Sequence, residues 1–275
     1  MGRSLFFLLV ALCVLSGQVG AARAEPQRIV STNLCADQLA LSLAPERVVS
    51  VSWVAGDGAI SNVAALAEGL PRNDAELEEV LASAPELVLT DAFAGEGLAL
   101  RLQALGVRVH RVGWAGSIGE AVAVIRLAAK AMDVVPRGEA LIADMAAKLS
   151  VARMIGTMHV RQDVLLLRPA GHTAAGDTLA AELMSLVGLS DMAMGAGMKP
   201  GREIALEEIV ALSPPVLLLD APGLAGESRA ESLLLHPALQ RMAEVPRIHL
   251  VPTKYWICPG PWLGDAALTL ASARR

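Results

Sequence analysis

Aromatic residues are scarce in this 275-residue chain: four tryptophans, three phenylalanines and one tyrosine. Two of the phenylalanines fall in the first 24 residues, so the remainder has only Trp53, Phe93, Trp114, Tyr255, Trp256 and Trp262. Cysteine is scarcer, with three in all, and no second C-x-x-C or neighbouring histidine completes a zinc-type metal site. Basic runs are absent and acids outnumber bases 28 to 23, which argues against nucleic acid as a partner. No phosphate loop G-x-x-x-x-G-K-[ST], no G-x-S-x-G, no H-E-x-x-H and no G-x-G-x-x-G after a strand is present. The chain therefore offers no catalytic residue and calls for no cofactor.

What is present begins with residues 1–24: Arg3, an apolar run from Leu5 to Leu15, and Ala22-Arg23-Ala24. This reads as a secretory signal peptide cleaved after Ala24, its run too short to cross a bilayer. A membrane anchor formed by the same helix is the other reading. Cys13 follows the bulky Leu12, which speaks against lipid attachment. The expected product is exported to the periplasm, with 21 basic against 28 acidic residues and a formal charge of −7. About 250 residues suffice for two modest domains with real cores. Cys35 and Cys258 remain, and an oxidising compartment permits them to pair. Two free buried thiols, or a pair of soft metal ligands, stay open.

Ser117 and Glu120 are spaced as a capping box, and Pro136 suits a first helical turn but no helix interior. The spacing predicts one helix at 117–132 and a connecting helix at 134–156, roughly 30 Å long at 1.5 Å per residue. Sequence on either side echoes: Leu77-Glu78-Glu79-Val80 precedes Pro85 and Leu87-Val88-Leu89, while Leu206-Glu207-Glu208-Ile209 precedes Pro214 and Val216-Leu217-Leu218-Leu219. Both are an acidic-headed helix, a proline stop and a buried strand. The predicted fold is α/β, with similar lobes at 25–133 and 157–275 and mostly parallel sheets. Coincidence between unrelated helix and strand pairs is the plain alternative.

Five of the six aromatics lie within four residues after a predicted strand, where open α/β sheets bind ligands. Arg168, His172 and Thr173 follow the first strand of the second lobe and would face the same cleft. The candidate ligand set is Asn33, Trp53, Phe93, Trp114, Arg168, His172, Tyr255 and Trp256; Trp262 reads as core. Glu78 and Glu207 occupy matching places, explained either by the helix dipole alone or by docking to a two-fold partner. Asp57, Asp91, Asp177 and Asp220 read as turn or cap residues, and His110, His236 and His249 as structural.

Arg28-Ile29-Val30-Ser31 with Asn33, the two acidic-headed helices and the single long connector together resemble the periplasmic substrate-binding proteins of iron-chelate and cobalamin ABC importers, the helical-backbone class III type. The likeness spans nearly the whole chain after residue 24. It implies a monomeric two-lobed receptor that takes a metal chelate between its lobes and delivers it to an inner-membrane permease dimer. It further implies that Glu78 and Glu207 dock to arginines of that permease. A ferric siderophore ranks first as ligand, then cobalamin, then haem. If Cys35 and Cys258 are bonded, they staple the lobes near the cleft. A chelatase-like metal-handling enzyme, and a ligand sensor docking to a receptor, are the rival functions.

Overall fold

In the computed structural model, residues 25–93, 95–174, 176, 178–199, 202–221, 236–237 and 247–274 are described. The expected leader at 1–24 with its expected cleavage point, Asp177, the loop expected at 222–226 and most of the helix expected at 236–243 lie outside them.

Apolar runs too hydrophobic to face water on either side become central strands of parallel sheets. In the first half β1 (Ile29–Ser31), β2 (Val48–Ser52), β3 (Arg72–Asn73), β4 (Leu87–Asp91) and β5 (Arg108–Val112) form a sheet in the order β3-β2-β1-β4-β5. In the second, β6 (Gln162–Leu167), β7 (Leu189–Asp191), β8 (Val216–Ala221) and β9 (Arg247–Pro252) are ordered β7-β6-β8-β9. Every pairing is parallel. Parallel neighbours need crossovers, and helices supply most of them. The first half has α1 (Leu34–Leu43), α2 (Leu77–Ala82), α3 (Glu96–Ala104) and α4 (Ile118–Ala131). The connector is α5 (Val135–Thr157), and the second half has α6 (Leu179–Leu186), α7 (Met192–Gly195), α8 (Leu206–Leu212) and α9 (Leu263–Ser272).

Helix starts follow the capping chemistry. Asn33 Oδ1 accepts from Ala36 N at 2.8 Å and opens α1. Ser117 Oγ accepts from Glu120 N at 3.1 Å, while Glu120 Oε2 accepts from Gly116 N at 2.7 Å, one residue ahead of the usual capping-box partner. Pro136 sits in the first turn of α5, where its missing N–H costs nothing.

Strand alternation divides the core. Ile29, Leu87 and Leu89 join a large cluster that continues through Met145 of α5 to Leu166, Leu218 and Leu270 of the second half. Their neighbours in sequence face the other way: Val30 and Val88 pack with Val80 of α2, and Leu165, Leu217 and Leu219 pack with Ile209 of α8. Val80 and Ile209 are the apolar fourth residues of the two acidic-headed segments, so the sequence echo is a packing echo. It extends to the helix ends, where Ala84 and Ser213, each just before a proline, both adopt φ of +44°.

The connector rests on α9. A Cβ on Gly264 would stand 2.7 Å from the Lys148 Cβ, so only glycine lets the two helices approach this closely. Lys148 Nζ then reaches Asp265 at 3.1 Å. Strands β3 and β7 were not anticipated, since two or three residues carry no measurable period. The loop expected at 195–201 is entered from α7, which ends at Gly195. Among the described residues no helix is long and apolar enough to cross a membrane.

Candidate functional site

Strand ends converge on one cavity of about 560 Å³. Trp114, two residues beyond β5, supplies the wall from the first half. The second half supplies Arg168 after β6, Asp220 within β8, and Thr253 and Trp256 after β9, with His172 and Thr173 beside them. This is the edge where parallel sheets leave their loops free to form a site.

The loop carrying Arg168 and His172 is closed by its own backbone. Arg168 N donates to His172 O at 2.8 Å, and Gly171 makes the turn at φ +81°, open to glycine without strain. Ile204 N donates to Gly171 O at 2.8 Å, which moors the loop to the segment before α8. The His172 ring lies 3.8 Å from Glu203.

The cavity charges are arranged in a pair. Arg168 Nε stands 3.1 Å from Asp220 Oδ2, off the hydrogen-bonding direction, so the contact is an ion pair without a directed bond. Thr253 Oγ1 donates to Asp220 Oδ1 at 2.6 Å. Asp220 is only 4% exposed. The Arg168 guanidinium also lies 5.5 Å from the centroid of the Trp256 ring, a cation–π distance. Sequence reasoning treated Asp220 as a turn residue; its signal was its place at the end of a buried strand opposite another lobe-two strand end bearing an arginine. Asp57 and Asp91 do serve turns, accepting from Ala59 N and Phe93 N. Two more polar atoms of the same wall, Trp256 Nε1 and Thr173 Oγ1, are buried with no hydrogen-bond partner among the described residues. Such groups are uncommon in folded proteins.

The remaining candidates are distributed unevenly. Trp53 and Phe93 are 69% and 75% exposed after β2 and β4, outside the cavity lining. Trp114, 65% exposed, has room for a partner on its open face, whereas Trp256 is 5% exposed and part of the core. Tyr255 packs partly against the core with the Lys254 ammonium 5.7 Å from its ring centroid. The Asn33 side-chain oxygen is occupied in capping α1. Trp262 is buried and donates to Cys258 O at 2.7 Å.

Cys35 in the first turn of α1 and Cys258 beyond β9 form a disulfide, with Cα atoms 5.3 Å apart. Ile257 and Pro259, on either side of Cys258, line the cavity. The cross-link therefore ties the cavity floor to the first half. Beneath it Asp37 is fully buried and accepts from Ser31 Oγ, Ser52 Oγ and Ser52 N, the last at 3.0 Å. Burial pushes its carboxyl above the ordinary aspartate range despite those bonds and the nearby Arg72 charge.

Glu78 and Glu207, second residues of α2 and α8, are exposed and make no ion pair or hydrogen bond among the described residues. Their neighbours are occupied: Glu79 Oε2 accepts from Asp74 N at 2.8 Å, and Glu208 accepts from Ala205 N at 3.0 Å and pairs with Arg202. No group of three or more His, Cys, Asp and Glu side chains fit to hold a metal occurs among the described residues.

No protein-family model matches the chain, and no curated protein matches it by sequence. Solved structures do. The periplasmic haem-binding protein RhuT from Roseiflexus sp. RS-1 is 25% identical, with a TM-score of 0.72 over 90% of this chain and 99% of that one. A periplasmic haem-binding protein from Pseudomonas aeruginosa is 21% identical, with a TM-score of 0.71 over 90% of this chain and 92% of that one. The periplasmic vitamin B12 binding protein BtuF of Vibrio cholerae is 16% identical, with a TM-score of 0.64 over 90% and 96%. These neighbours are binding proteins, and with two parallel sheets hung on one long helix the chain has the fold of the helical-backbone, class III periplasmic solute-binding proteins.

Proposed function

We propose that the chain is the solute-binding component of an ABC importer, which takes a metal chelate between its lobes and presents it to an inner-membrane permease. The observation that carries this reading is the cavity itself, walled by Trp114 from one half and by Trp256 and Arg168 from the other. The open face of Trp114, opposite an Arg168 guanidinium stacked on the buried Trp256 ring, suits a broad, flat guest. The structural neighbours that bind haem or vitamin B12 support the same ligand class. Because Asp220 answers the Arg168 charge within the protein, a flat macrocycle, haem or corrinoid, ranks ahead of a ferric siderophore.

Glu78 and Glu207 are the docking carboxylates in this reading: both are exposed, while Glu79 and Glu208 are engaged in closing their own helices. Rim charges of this kind set register and encounter rate. The test is a tryptophan-fluorescence titration of the mature protein against hemin, cyanocobalamin and ferric siderophores. Saturable quenching with the ligand recovered unchanged supports a receptor; conversion of the ligand would identify an enzyme, and no binding to any of them would end the proposal.

A further inference from the structure

Three charged or titratable side chains line the cavity among the described residues: Arg168, Asp220 and His172. Arg168 and Asp220 stand 3.1 Å apart and cancel, so together they bring no net charge to the described wall. Two features show that the pairing is built in. Asp220 is held from behind by the Thr253 hydroxyl at 2.6 Å, which fixes one oxygen and leaves the other at the guanidinium. Arg168 is held by the closed backbone of its loop and lies over the Trp256 ring. An arginine aimed at an anionic guest gains nothing from a buried carboxylate at its side. With its carboxylate in place the pair offers an incoming anion no net attraction.

We propose that Asp220 is the specificity-determining residue of the cavity: by answering the Arg168 charge inside the protein, it sets the site for a metal chelate with a nearly neutral inner face and turns away polyanionic chelates. This rests on the receptor reading above and names the charge class of its ligand. Exclusion of a competitor by an opposed charge is a common source of selectivity. Asn at the same position keeps an oxygen for the Thr253 hydroxyl and the same shape, so Asp220→Asn removes the charge with little else changed.

The test measures binding of hemin, hemin dimethyl ester, cyanocobalamin and a trianionic ferric tris-catecholate to wild type and Asp220→Asn, with melting curves of both unliganded proteins. The expected result is a gain of about tenfold or more for the ferric catecholate and a smaller gain for hemin than for it. The dimethyl ester and cyanocobalamin should stay within about twofold of wild type, since neither presents a charge to the missing carboxylate. An unchanged ferric catecholate affinity, or equal loss for all four ligands, overturns the assignment. Should Asp220→Asn fail to fold, Arg168→Gln takes its place: it leaves Asp220 unanswered, and must weaken the catecholate at least about tenfold more than cyanocobalamin for the proposal to stand. If wild type binds none of the four, the receptor reading itself falls; if wild type binds and the variants show no charge selectivity, only the role of Asp220 falls.

Discussion

Asn62 Nδ2 donates to the backbone carbonyl of Lys254 at 2.5 Å, across 192 residues of sequence. Gln38 Oε1 steadies Asn62 from behind, accepting from its N at 2.8 Å and from its Nδ2 at 2.7 Å. The Cys35–Cys258 bond holds the same C-terminal segment a few residues further on. The stretch from Thr253 to Pro259, which lines the cavity, is thus gripped from the first half at two points.

Loss of the two grips should be non-additive, because they restrain one segment. Asn62→Ala is expected to lower unfolding free energy by about 1 kcal/mol, and Cys35→Ser with Cys258→Ser by about 2–5 kcal/mol. Removing both sets should cost less in urea denaturation than the two effects summed. Thiol titration of the unfolded, unreduced mature protein should find no free thiol; two free thiols would show that the cross-link does not form.

Asp37 gives a pH signature. Its folded carboxyl holds a proton more tightly than the unfolded one, so the charged form is a burden on the fold. In this case stability falls as pH rises from the unfolded value near 3.8 up through the higher folded value, and the loss persists at neutral pH. Asp37→Asn should lack this slope. Unfolding midpoints of the two proteins at pH 4 and pH 7 test it; parallel curves would mean that burial does not govern this group. Asp37→Ala strands both serine hydroxyls and should be worse than Asn, by about 1–3 kcal/mol.

The two acidic pairs should separate by phenotype. Glu78→Ala with Glu207→Ala is expected to leave ligand affinity and melting temperature unchanged while abolishing uptake in cells. Glu79→Ala with Glu208→Ala should instead lower the melting temperature, since it removes the acceptors for Asp74 N and Ala205 N. Normal uptake by the first double variant would remove the docking role.

Ala84 and Ser213 are two places where the chain can be stabilised. Each sits at φ +44°, a left-handed conformation that costs a side-chain-bearing residue roughly 1–2 kcal/mol and glycine almost nothing. Against this stands the greater freedom of glycine in the unfolded chain, about 0.5–1 kcal/mol. A net gain of about 0.5 kcal/mol is expected from Ala84→Gly and again from Ser213→Gly, read as higher midpoints in thermal unfolding.

Local signals in the sequence were enough for most of the frame. Proline at 136 and the Ser117–Glu120 spacing marked the helices that became α4 and α5, because capping is decided within one turn. The doubled acidic helix and apolar strand marked two similar sheets, because burial on both faces leaves an uninterrupted apolar run. The cavity was only half legible. Trp114, Arg168, His172 and Trp256 meet there, yet Trp53 and Phe93, chosen by the same rule, stand outside its lining. Position after a strand places a residue at the correct edge of a sheet but not at a particular point along it. The Asp220 pairing was missed since Arg168, just past β6, and Asp220, within β8, lie 52 residues apart in sequence and meet only because of the strand order. Asn62 was missed for the same reason, its partner being a backbone carbonyl with no identity in sequence.

The bond between Cys35 and Cys258 joins residues 223 positions apart, so nearly all of the chain beyond residue 24 is a covalent ring with two short tails. The ring cannot close until β9 has emerged, long after the first sheet is able to form, which places oxidation among the last events of maturation. A protease that nicks any loop within it leaves both pieces tethered: a cut molecule runs as full length on a gel without reductant and splits only when the thiols are freed.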